Sequence, residues 1–280
     1  MLNDDDDNDD EGNALEKLFI CEDYKSISME IKGISTTTQN EIMAETILLN
    51  STQACTDHDL TGQVIWPASI LLATFLLCNN DIIFKENVNN ISLIELGAGC
   101  GLGSFLCASF CKEVIATDGN DVVVRLLEKT KATYQYDKVE VKKLMWGIKS
   151  EIQSLNKYPN IIIGADVLLW PNYTRALLLT IKWLMQSSYI HDQNNIPVTY
   201  ISYIVRANTT TSLLFKSAEE LGLKIDILPL TFLQPEPLCL QSLEKMMLKI
   251  TLINLNDIDE SSDIIEEETV KKLGFASSPC

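Results

Sequence analysis

The segment from residue 91 to residue 118 carries acids and glycines at a spacing that suits a nucleoside-like ligand. An apolar stretch runs into Glu95, and the turn after it holds glycines at 97, 99, 101 and 103. Glycines let a backbone pass close under a ligand, because no side chain blocks the approach. A second apolar stretch ends at Asp118, where the next strand of such a fold would present a carboxylate to a ribose diol. The pattern predicts an adenosine-containing cofactor, with a ligand-free glycine-rich turn as the alternative.

The glycines do not fit the dinucleotide-binding fingerprint, which needs glycine at its first, third and sixth positions. Counting from Gly97, the sixth position is Leu102, and counting from Gly99 it is Ser104. The pattern acid-x-Gly-x-Gly-x-Gly resembles motif I of S-adenosylmethionine (SAM) methyltransferases instead. In that family the loop binds the methionine part of the cofactor, which carries a sulfonium. SAM has no pyrophosphate for the loop to bind. The resemblance implies SAM as the cofactor.

Apolar periodicity predicts an α/β chain in which strands and helices alternate. We expect strands near residues 91–96, 113–117, 139–144, 160–165, 198–205, 223–228 and 246–254. We expect helices near residues 63–78, 102–111, 120–134, 172–187 and 209–221. This order predicts a doubly wound, mainly parallel, Rossmann-like sheet of seven strands, as in the SAM-methyltransferase fold. Short alternating stretches at 18–21, 27–31 and 46–49 predict an N-terminal β-hairpin extension.

Charge and composition divide the chain into four parts. We expect a disordered acidic tail over 1–13, a β extension over 14–60, the methyltransferase domain over 61–255, and an acidic, flexible tail over 256–280. Residues 1–12 and 257–268 each carry seven acids, so the tails account for most of the net charge of −17. The tails either keep the chain soluble or attract a basic partner, an attraction screened beyond ~8 Å at cellular salt. Nucleic acid is not an expected partner, because its binding surfaces are basic.

Cysteine and histidine usage bears on compartment and metal binding. The eight cysteines include no Cys-x-x-Cys pair, and the chain has two histidines, so we expect reduced cysteines and no metal site. The longest apolar run, Ile65 to Cys78, is interrupted by Pro67 and is too short to cross a bilayer, so we expect a buried helix. No basic, signal-like start is visible. The sequence predicts a monomer without membrane contact, in the cytoplasm and also in the nucleus.

Five blocks of sequence resemble one enzyme family in its own order. The block at 61–68, Thr-Gly-Gln-Val-Ile-Trp-Pro-Ala, is similar to the block that opens the core of the seven-β-strand protein-lysine methyltransferases. The other four blocks are residues 95–103, 116–119, 144–147 (Leu-Met-Trp-Gly) and 163–167 (Ile-Gly-Ala-Asp-Val). The resemblance covers about residues 61–255. It implies a SAM-dependent enzyme that methylates a lysine side chain of a protein.

The same resemblance implies a set of cofactor contacts. Trp66 would lie beside the methionine end of SAM, Asp118 would bind the ribose, and Trp146 would lie against the adenine. Aromatic rings stack on purines and attract cations by roughly 0.5–2 kcal/mol, although core packing is the alternative for both tryptophans. The other cofactor-binding residues implied are Glu95, Gly97, Ala98, Gly99, Gly101 and Ala165.

Asp166 is the predicted catalytic residue. It follows the fourth predicted strand, at the edge of the sheet where ligands bind in such folds. A lysine with a pKa of ~10.4 must lose its proton to react, which costs about 4.6 kcal/mol near neutral pH. Asp166 could position the incoming ammonium while water or a carbonyl takes the proton. The alternative is a helix N-cap or a turn acid.

The acceptor side of the site departs from the family pattern. The family form is Asp-x-x-Tyr, but this chain has Leu169 in the position of the tyrosine. Trp170 or Tyr173 could line the acceptor site instead. Arg206, after the fifth predicted strand, could contact an acidic stretch of a target or cap a helix.

Three functions are compatible with these residues. The first is methylation of a protein lysine, with histidine methylation as a variant. The second is methylation of a small molecule at nitrogen or oxygen, since the same cofactor motifs would serve. The third is a non-catalytic interaction module that keeps the fold, with the acidic tails carrying the binding.

Overall fold

The computed structural model describes residues 24–52, 58–85 and 90–254, and strands dominate its centre. The strands are β1 (Lys25–Ile34), β2 (Glu41–Ser51), β3 (Ser92–Leu96), β4 (Glu113–Asp118), β5 (Val139–Lys143), β6 (Ile161–Ala165), β7 (Val198–Ile204), β8 (Leu223–Leu228) and β9 (Lys245–Leu252). Strands β1 and β2 form a hairpin, and the other seven form one sheet in the order β5-β4-β3-β6-β7-β9-β8. Strand β9 runs in the direction opposite to the other six strands of that sheet. The predicted seven-stranded, mainly parallel sheet is confirmed.

Helices connect the strands and cover both faces of the sheet. They are α1 (Pro67–Cys78), α2 (Asn80–Ile83), α3 (Leu102–Cys107), α4 (Asp121–Tyr134), α5 (Lys149–Leu155), α6 (Pro171–His191) and α7 (Asn208–Glu220). Two 3-10 turns lie at His58–Gln63 and Leu238–Leu240. In the part of the chain that is described, no helix is long and apolar enough to span a bilayer.

The sheet separates two hydrophobic cores, because successive side chains of a strand point to opposite faces. In β3, Leu93 belongs to the core formed with α1, α3 and α4, whereas Ile94 belongs to the core formed with α6 and α7. The same alternation in β4 places Ala116 in the first core and Ile115 in the second. Helices therefore cover both faces of the sheet, and the predicted doubly wound arrangement is confirmed.

The hairpin extends the first core. Its side chains Ile31, Ile47 and Leu49 are buried with residues of α1. The backbone N–H of Asn50 donates to the hydroxyl of Thr130 in α4 at 3.2 Å. The predicted N-terminal hairpin is thus present, while the division of the chain into four parts stays a prediction. The stretch predicted at 18–21 and both acidic tails lie outside the described residues.

Several helix bounds differ from the prediction for local reasons. The helix predicted over 63–78 begins at Pro67, because proline lacks an N–H and suits the first helical position. The helix predicted over 102–111 ends at Cys107, because the chain must turn there to begin β4. After the turn, the N–H of Lys112 donates to the carbonyl of Ile91. Helix α5 was not predicted. It has seven residues and buries only one of them, Ile152. Its sequence therefore lacks the repeating apolar positions from which a helix is predicted.

Candidate active site

Three parallel strands end beside one another and bring the predicted site residues to one edge of the sheet. Strand β3 lies between β4 and β6 in the sheet. After β3 the chain builds β4 and β5 on one side of it and then crosses to build β6 on the other side. Ligands in open α/β sheets bind at such a switch point, beyond the carboxyl ends of the strands. Gly97 follows β3, Asp118 ends β4 and Asp166 follows β6, so all three lie at this edge.

The glycine loop after β3 holds its backbone in a form that favours glycine. Gly97 has φ +62° and Gly99 has φ +54°, both in the left-handed region. A Cβ on Gly97 would lie 2.9 Å from Val167 and 3.0 Å from the ring of Trp146. Between these two residues, the Ala98 N–H donates to the carbonyl of Thr117 at 2.8 Å, which ties the loop to β4. The loop therefore packs against Val167 and Trp146 and is hydrogen-bonded to β4.

Gly101 has a different reason to be glycine. Its φ is +81°, and it stands immediately before the first residue of α3. A Cβ there would lie 2.5 Å from the ring of Phe105 and 2.7 Å from Leu127, both core residues. The turn and the core thus explain this glycine, and contact of Gly101 with the cofactor stays a prediction.

Glu95 is engaged within the protein. It is buried, and its Oε2 accepts hydrogen bonds from the N–H of Ser104 at 2.7 Å and from the Ser104 hydroxyl at 2.5 Å. Burial raises the pKa of Glu95 to about 7. Glu95 therefore holds the start of α3 against β3. Its predicted contact with the cofactor stays a prediction, and the sequence did not reveal the bond to Ser104.

Asp118 connects β4 to the glycine loop. Its Oδ2 accepts from the N–H of Gly99 at 3.2 Å, and its Oδ1 accepts from the N–H of Asn120 at 3.0 Å. Burial raises the pKa of Asp118, although these backbone donors oppose the rise. A carboxylate has about four acceptor positions. The backbone donors of Gly99, Asn120 and Gly119 act on this group, so an acceptor position is left for a ribose hydroxyl beside the glycine loop.

The segment that ends at Trp66 runs along the same loop. A Cβ on Gly99 would lie 3.0 Å from the carbonyl oxygen of Gly62, so the two backbones are in close contact. The indole N–H of Trp66 donates to the carbonyl of Thr61 at 2.8 Å, and the residue is 37% exposed. This exposure does not fit the core-packing alternative for Trp66. The sequence did not single out Gly62, although its place in the block with Trp66 was a usable signal.

Trp146 lies in a loop fastened at two of its backbone N–H groups. The N–H of Met145 donates to Glu151 of α5 at 2.7 Å, and the N–H of Gly147 donates to the hydroxyl of Thr180 of α6 at 2.8 Å. The ring of Trp146 packs on the edge of the second core and faces Gly97. Glu151 and Thr180 thus help to place the predicted adenine-binding side chain. Sequence reasoning missed both.

Asp166 and Arg206 form an ion pair. Each Arg206 terminal nitrogen donates to one carboxylate oxygen of Asp166, at 2.6 Å in both cases. The bond to Asp166 raises the pKa of Arg206. Asp166 is not the N-cap of α6, which is Trp170, and Arg206 is not the N-cap of α7, which is Ala207. The helix-capping alternatives therefore find no support, and two residues predicted separately are one unit.

The remaining candidates, one for the cofactor and two for the acceptor, lie at the same edge. Ala165 ends β6 and pairs with Ser202 of β7. Trp170 is 41% exposed just before α6, and the N–H of Tyr173 donates to its carbonyl at 3.1 Å. Leu169, in place of the family tyrosine, is partly buried. Contact of these side chains with cofactor or acceptor stays a prediction.

The residues at this edge fit SAM and do not form a metal site. Gly97 and Gly99 hold the loop in the left-handed backbone form, and the carboxylate of Asp118 is bonded to that loop, which suits the methionine and ribose parts of SAM. Within residues 24–52, 58–85 and 90–254, no group of three or more His, Cys, Asp or Glu side chains is arranged to hold a metal ion.

Comparison with curated proteins finds relatives among protein methyltransferases. The mouse histone-arginine methyltransferase METTL23 is 28% identical over 134 residues, which cover 47% of this chain and 51% of that protein. The human protein-lysine N-methyltransferase EEF2KMT is 25% identical over 197 residues, which cover 65% and 57%. The bovine protein-lysine methyltransferase METTL21E is 29% identical over 140 residues, which cover 47% and 46%. The chain spans about half the length of these relatives.

A match to a family model covers most of the candidate active site. The model described as lysine methyltransferase matches residues 47–212, which is more than half of the 280-residue chain. The matched range includes the end of the hairpin strand β2, the glycine loop, Asp118, the Trp146 loop and the pair of Asp166 with Arg206. The chain therefore belongs to the lysine methyltransferase family, whose cofactor is S-adenosylmethionine.

Proposed function

We propose that this protein transfers the methyl group of SAM to the side-chain amine of a lysine in a protein substrate. The observation that carries the proposal is the hydrogen bond from the Gly99 N–H to the carboxylate of Asp118 at the switch point of the sheet. It joins the glycine loop and a ribose-binding acid in one unit. Family membership and the names of EEF2KMT and METTL21E support lysine as the acceptor.

The cofactor would be held by groups near the carboxyl ends of β3 and β4. SAM, when bound, supplies a methyl group on a positively charged sulfur. Asp118 would accept hydrogen bonds from the ribose hydroxyls, and the ring of Trp146 would stack on the adenine. The exposed ring of Trp66 would attract the sulfonium, an interaction of roughly 0.5–2 kcal/mol. Backbone at Gly97 and Gly99 would allow the methionine part to lie close to the loop.

The acceptor side would act mainly by alignment. Asp166 would hold the lysine ammonium by its charge before the proton leaves to water. Making the amine neutral near pH 7 costs about 4.6 kcal/mol for a lysine with a pKa of ~10.4. Holding the nitrogen in line with the methyl–sulfur bond can contribute roughly 7–11 kcal/mol. Trp170 and Tyr173, at the start of α6, are the proposed walls of the acceptor site.

Labelling of a cell extract tests this proposal. The purified full chain is incubated with tritiated SAM and extract, and the labelled band and its modified residue are identified, with Asp118→Ala as the control. A labelled lysine supports the proposal, and a labelled arginine, as the name of the METTL23 relative would suggest, replaces lysine as the acceptor. Label only in small molecules would make the chain a small-molecule methyltransferase. No label and no SAM binding would leave a non-catalytic module.

The setting of the protein is also a proposal. We propose a monomer that works in the cytoplasm and in the nucleus without binding nucleic acid. The buried free thiols of Cys78, Cys100, Cys107 and Cys111 support a reducing compartment. The net charge of −17 disfavours a nucleic-acid surface. Gel filtration, cell fractionation and a nucleic-acid mobility shift test these three points.

A further inference from the structure

Arg206 fills the place at Asp166 that an acceptor cation would need. Both carboxylate oxygens of Asp166 receive a guanidinium N–H at 2.6 Å, which is a short, two-pronged pair. The side chain of Asp166 is 7% exposed, and that of Arg206 is 37% exposed. The guanidinium is therefore the more exposed partner of the pair, and both carboxylate oxygens are occupied by it.

The two partners differ in how firmly they are held. Asp166 sits in a tight turn with φ +59°, and its N–H donates to the carbonyl of Ser202 at 3.0 Å, so its backbone is fixed to β7. Arg206 is the second residue after the end of β7, and its side chain turns back toward that strand. Apart from the pair with Asp166, it donates a longer hydrogen bond to the carbonyl of Ile204 at 3.3 Å. Its side chain is long, has several rotatable bonds and is partly in water. The guanidinium is thus the partner that can leave.

A carboxylate this buried is strongly stabilised by a cationic partner. Removing the partner of a buried ion pair leaves an uncompensated charge, which is strongly unfavourable. Among the described residues, Arg206 is the partner with which Asp166 forms a salt bridge. If an acceptor ammonium is to reach Asp166, it must take the place of the guanidinium in the same movement.

We propose that Arg206 occupies in the free protein the position that a cationic acceptor side chain takes at Asp166, and that the two cations exchange there. This inference rests on the proposed function and makes Arg206 a residue that determines acceptor specificity. A neutral nucleophile brings no charge to replace the guanidinium, so it does not open the site. An ammonium does, although it lacks the fork geometry of arginine and binds carboxylate as a point charge.

The exchange also has a consequence for the acceptor proton. While the acceptor is an ammonium, it holds the carboxylate and Arg206 stays displaced. When its proton passes to water, the neutral amine no longer neutralises Asp166, and the guanidinium is drawn back. Return of Arg206 therefore favours the neutral amine, which is the form that attacks a methyl group.

A small probe tests the exchange without knowledge of the protein substrate. The probe is n-butylammonium chloride, which matches the end of a lysine side chain, titrated into the full chain by calorimetry or NMR at constant ionic strength. Arg206→Ala is expected to bind the probe about tenfold or more tightly than the unmodified protein, a ratio that is read directly from the two dissociation constants. The neutral n-butanol is expected to show no such difference. Equal affinity of both proteins for n-butylammonium would overturn the proposal.

Further variants separate charge from folding. Arg206→Gln removes the charge and keeps a donor, so it replaces the alanine variant if that variant does not fold. Arg206→Lys places an ammonium on the protein itself and is expected to exclude the probe as arginine does. Asp166→Asn combined with Arg206→Ala is expected to lose the gain, and persistence of the gain would contradict binding at Asp166. SAM binding by the unmodified protein is measured in parallel, and its absence would count against the proposed function alone.

Discussion

The carbonyl oxygen of Gly62 lies against Gly99, so close that a methyl group on Gly99 would come to 3.0 Å from it. Gly62 belongs to the 3-10 turn before Trp66, while the Gly99 N–H is bonded to Asp118. The segment of Trp66, the glycine loop and Asp118 therefore meet at one glycine. This contact fixes the relative position of the two predicted ends of the cofactor site.

Alanine at position 99 is expected to disturb both folding and cofactor binding. Gly99→Ala places a Cβ at left-handed φ, which costs roughly 1–2 kcal/mol, and also pushes on Gly62. We expect a larger loss of unfolding free energy than from backbone strain alone, with SAM affinity about tenfold weaker. Urea unfolding and calorimetry measure the two quantities.

Gly222→Ala is the matched control for that variant. Gly222 also has positive φ, +71°, but a Cβ there would meet nothing within 4 Å. It is expected to lose roughly 1 kcal/mol of stability and to keep the SAM affinity of the unmodified protein. An equal loss of SAM affinity in both glycine variants would mean that the contact with Gly62 does not shape the cofactor site.

Replacing Asp118 is expected to weaken SAM binding without removing the fold. A hydrogen bond to a charged group contributes about 1.5–3 kcal/mol, so loss of one ribose contact in Asp118→Ala predicts a dissociation constant raised by about tenfold to a hundredfold. Asp121→Ala is the control, because Asp121 lies three residues on and pairs with Lys143 on the surface at 2.7 Å. Calorimetry compares the two. An unchanged dissociation constant for Asp118→Ala would remove this residue from the site.

The loop of Trp146 is expected to need its hydrogen bonds to Thr180 and Glu151 in order to bind SAM. Thr180→Val removes the hydroxyl that accepts from the Gly147 N–H, and a buried donor left without a partner costs about 1–3 kcal/mol. We expect SAM affinity to fall by about fivefold to tenfold as Trp146 loses its fixed position. Glu151→Ala, which releases the Met145 N–H, is expected to act in the same direction.

Ser188→Ala controls for the loss of a buried hydroxyl on the same helix. The hydroxyl of Ser188 donates to the carbonyl of Leu184 at 2.9 Å within α6 and has no bond to the Trp146 loop. It is expected to change stability slightly and SAM affinity not at all. If Ser188→Ala weakens SAM binding as much as Thr180→Val does, the effect belongs to α6 as a whole and not to the loop.

Stability is expected to fall with rising pH through the titration of Glu95. Burial raises the pKa of Glu95 to about 7 in the folded protein, whereas the unfolded chain has the ordinary value near 4.5. The folded state therefore binds the proton more tightly. The stabilisation is fully present below the ordinary value and is lost as the pH rises through about 7. The loss amounts to about 3 kcal/mol, at 1.36 kcal/mol for each pKa unit.

The variant Glu95→Gln isolates that contribution. Glutamine keeps an oxygen that accepts from Ser104 and does not ionise. Urea unfolding is measured for both proteins between about pH 5 and about pH 8, and the difference between their unfolding free energies is expected to move in favour of the glutamine variant as pH rises. A difference that stays constant over this range would show that Glu95 does not titrate there.

Local signals allowed much of the fold and the cofactor side to be predicted. The strand before the glycine loop, the loop itself and Asp118 are close in sequence, so apolar period and glycine spacing were sufficient to place them together. The hairpin followed from alternating stretches in the same way. Glu95 is the exception: its type and place were clear, but its bond to Ser104 depends on how α3 begins.

The acceptor side could not be assembled from the sequence because its contacts are long-range. Asp166 and Arg206 were each singled out, yet they are 40 residues apart and meet only because β6 and β7 are neighbours in register. Helix α5 was missed for lack of apolar period, and Glu151 was missed with it. Such contacts depend on tertiary register, which residue types and spacing do not encode locally.

A crystal structure of the protein with S-adenosylhomocysteine, the demethylated form of the cofactor, tests the central claim most directly. We predict that the ribose hydroxyls donate to the carboxylate of Asp118, that the adenine lies on the ring of Trp146, and that the amino-acid part follows the backbone from Gly97 to Gly99. An empty crevice at saturating ligand, or a ligand bound away from Asp118 and the glycine loop, would contradict the account.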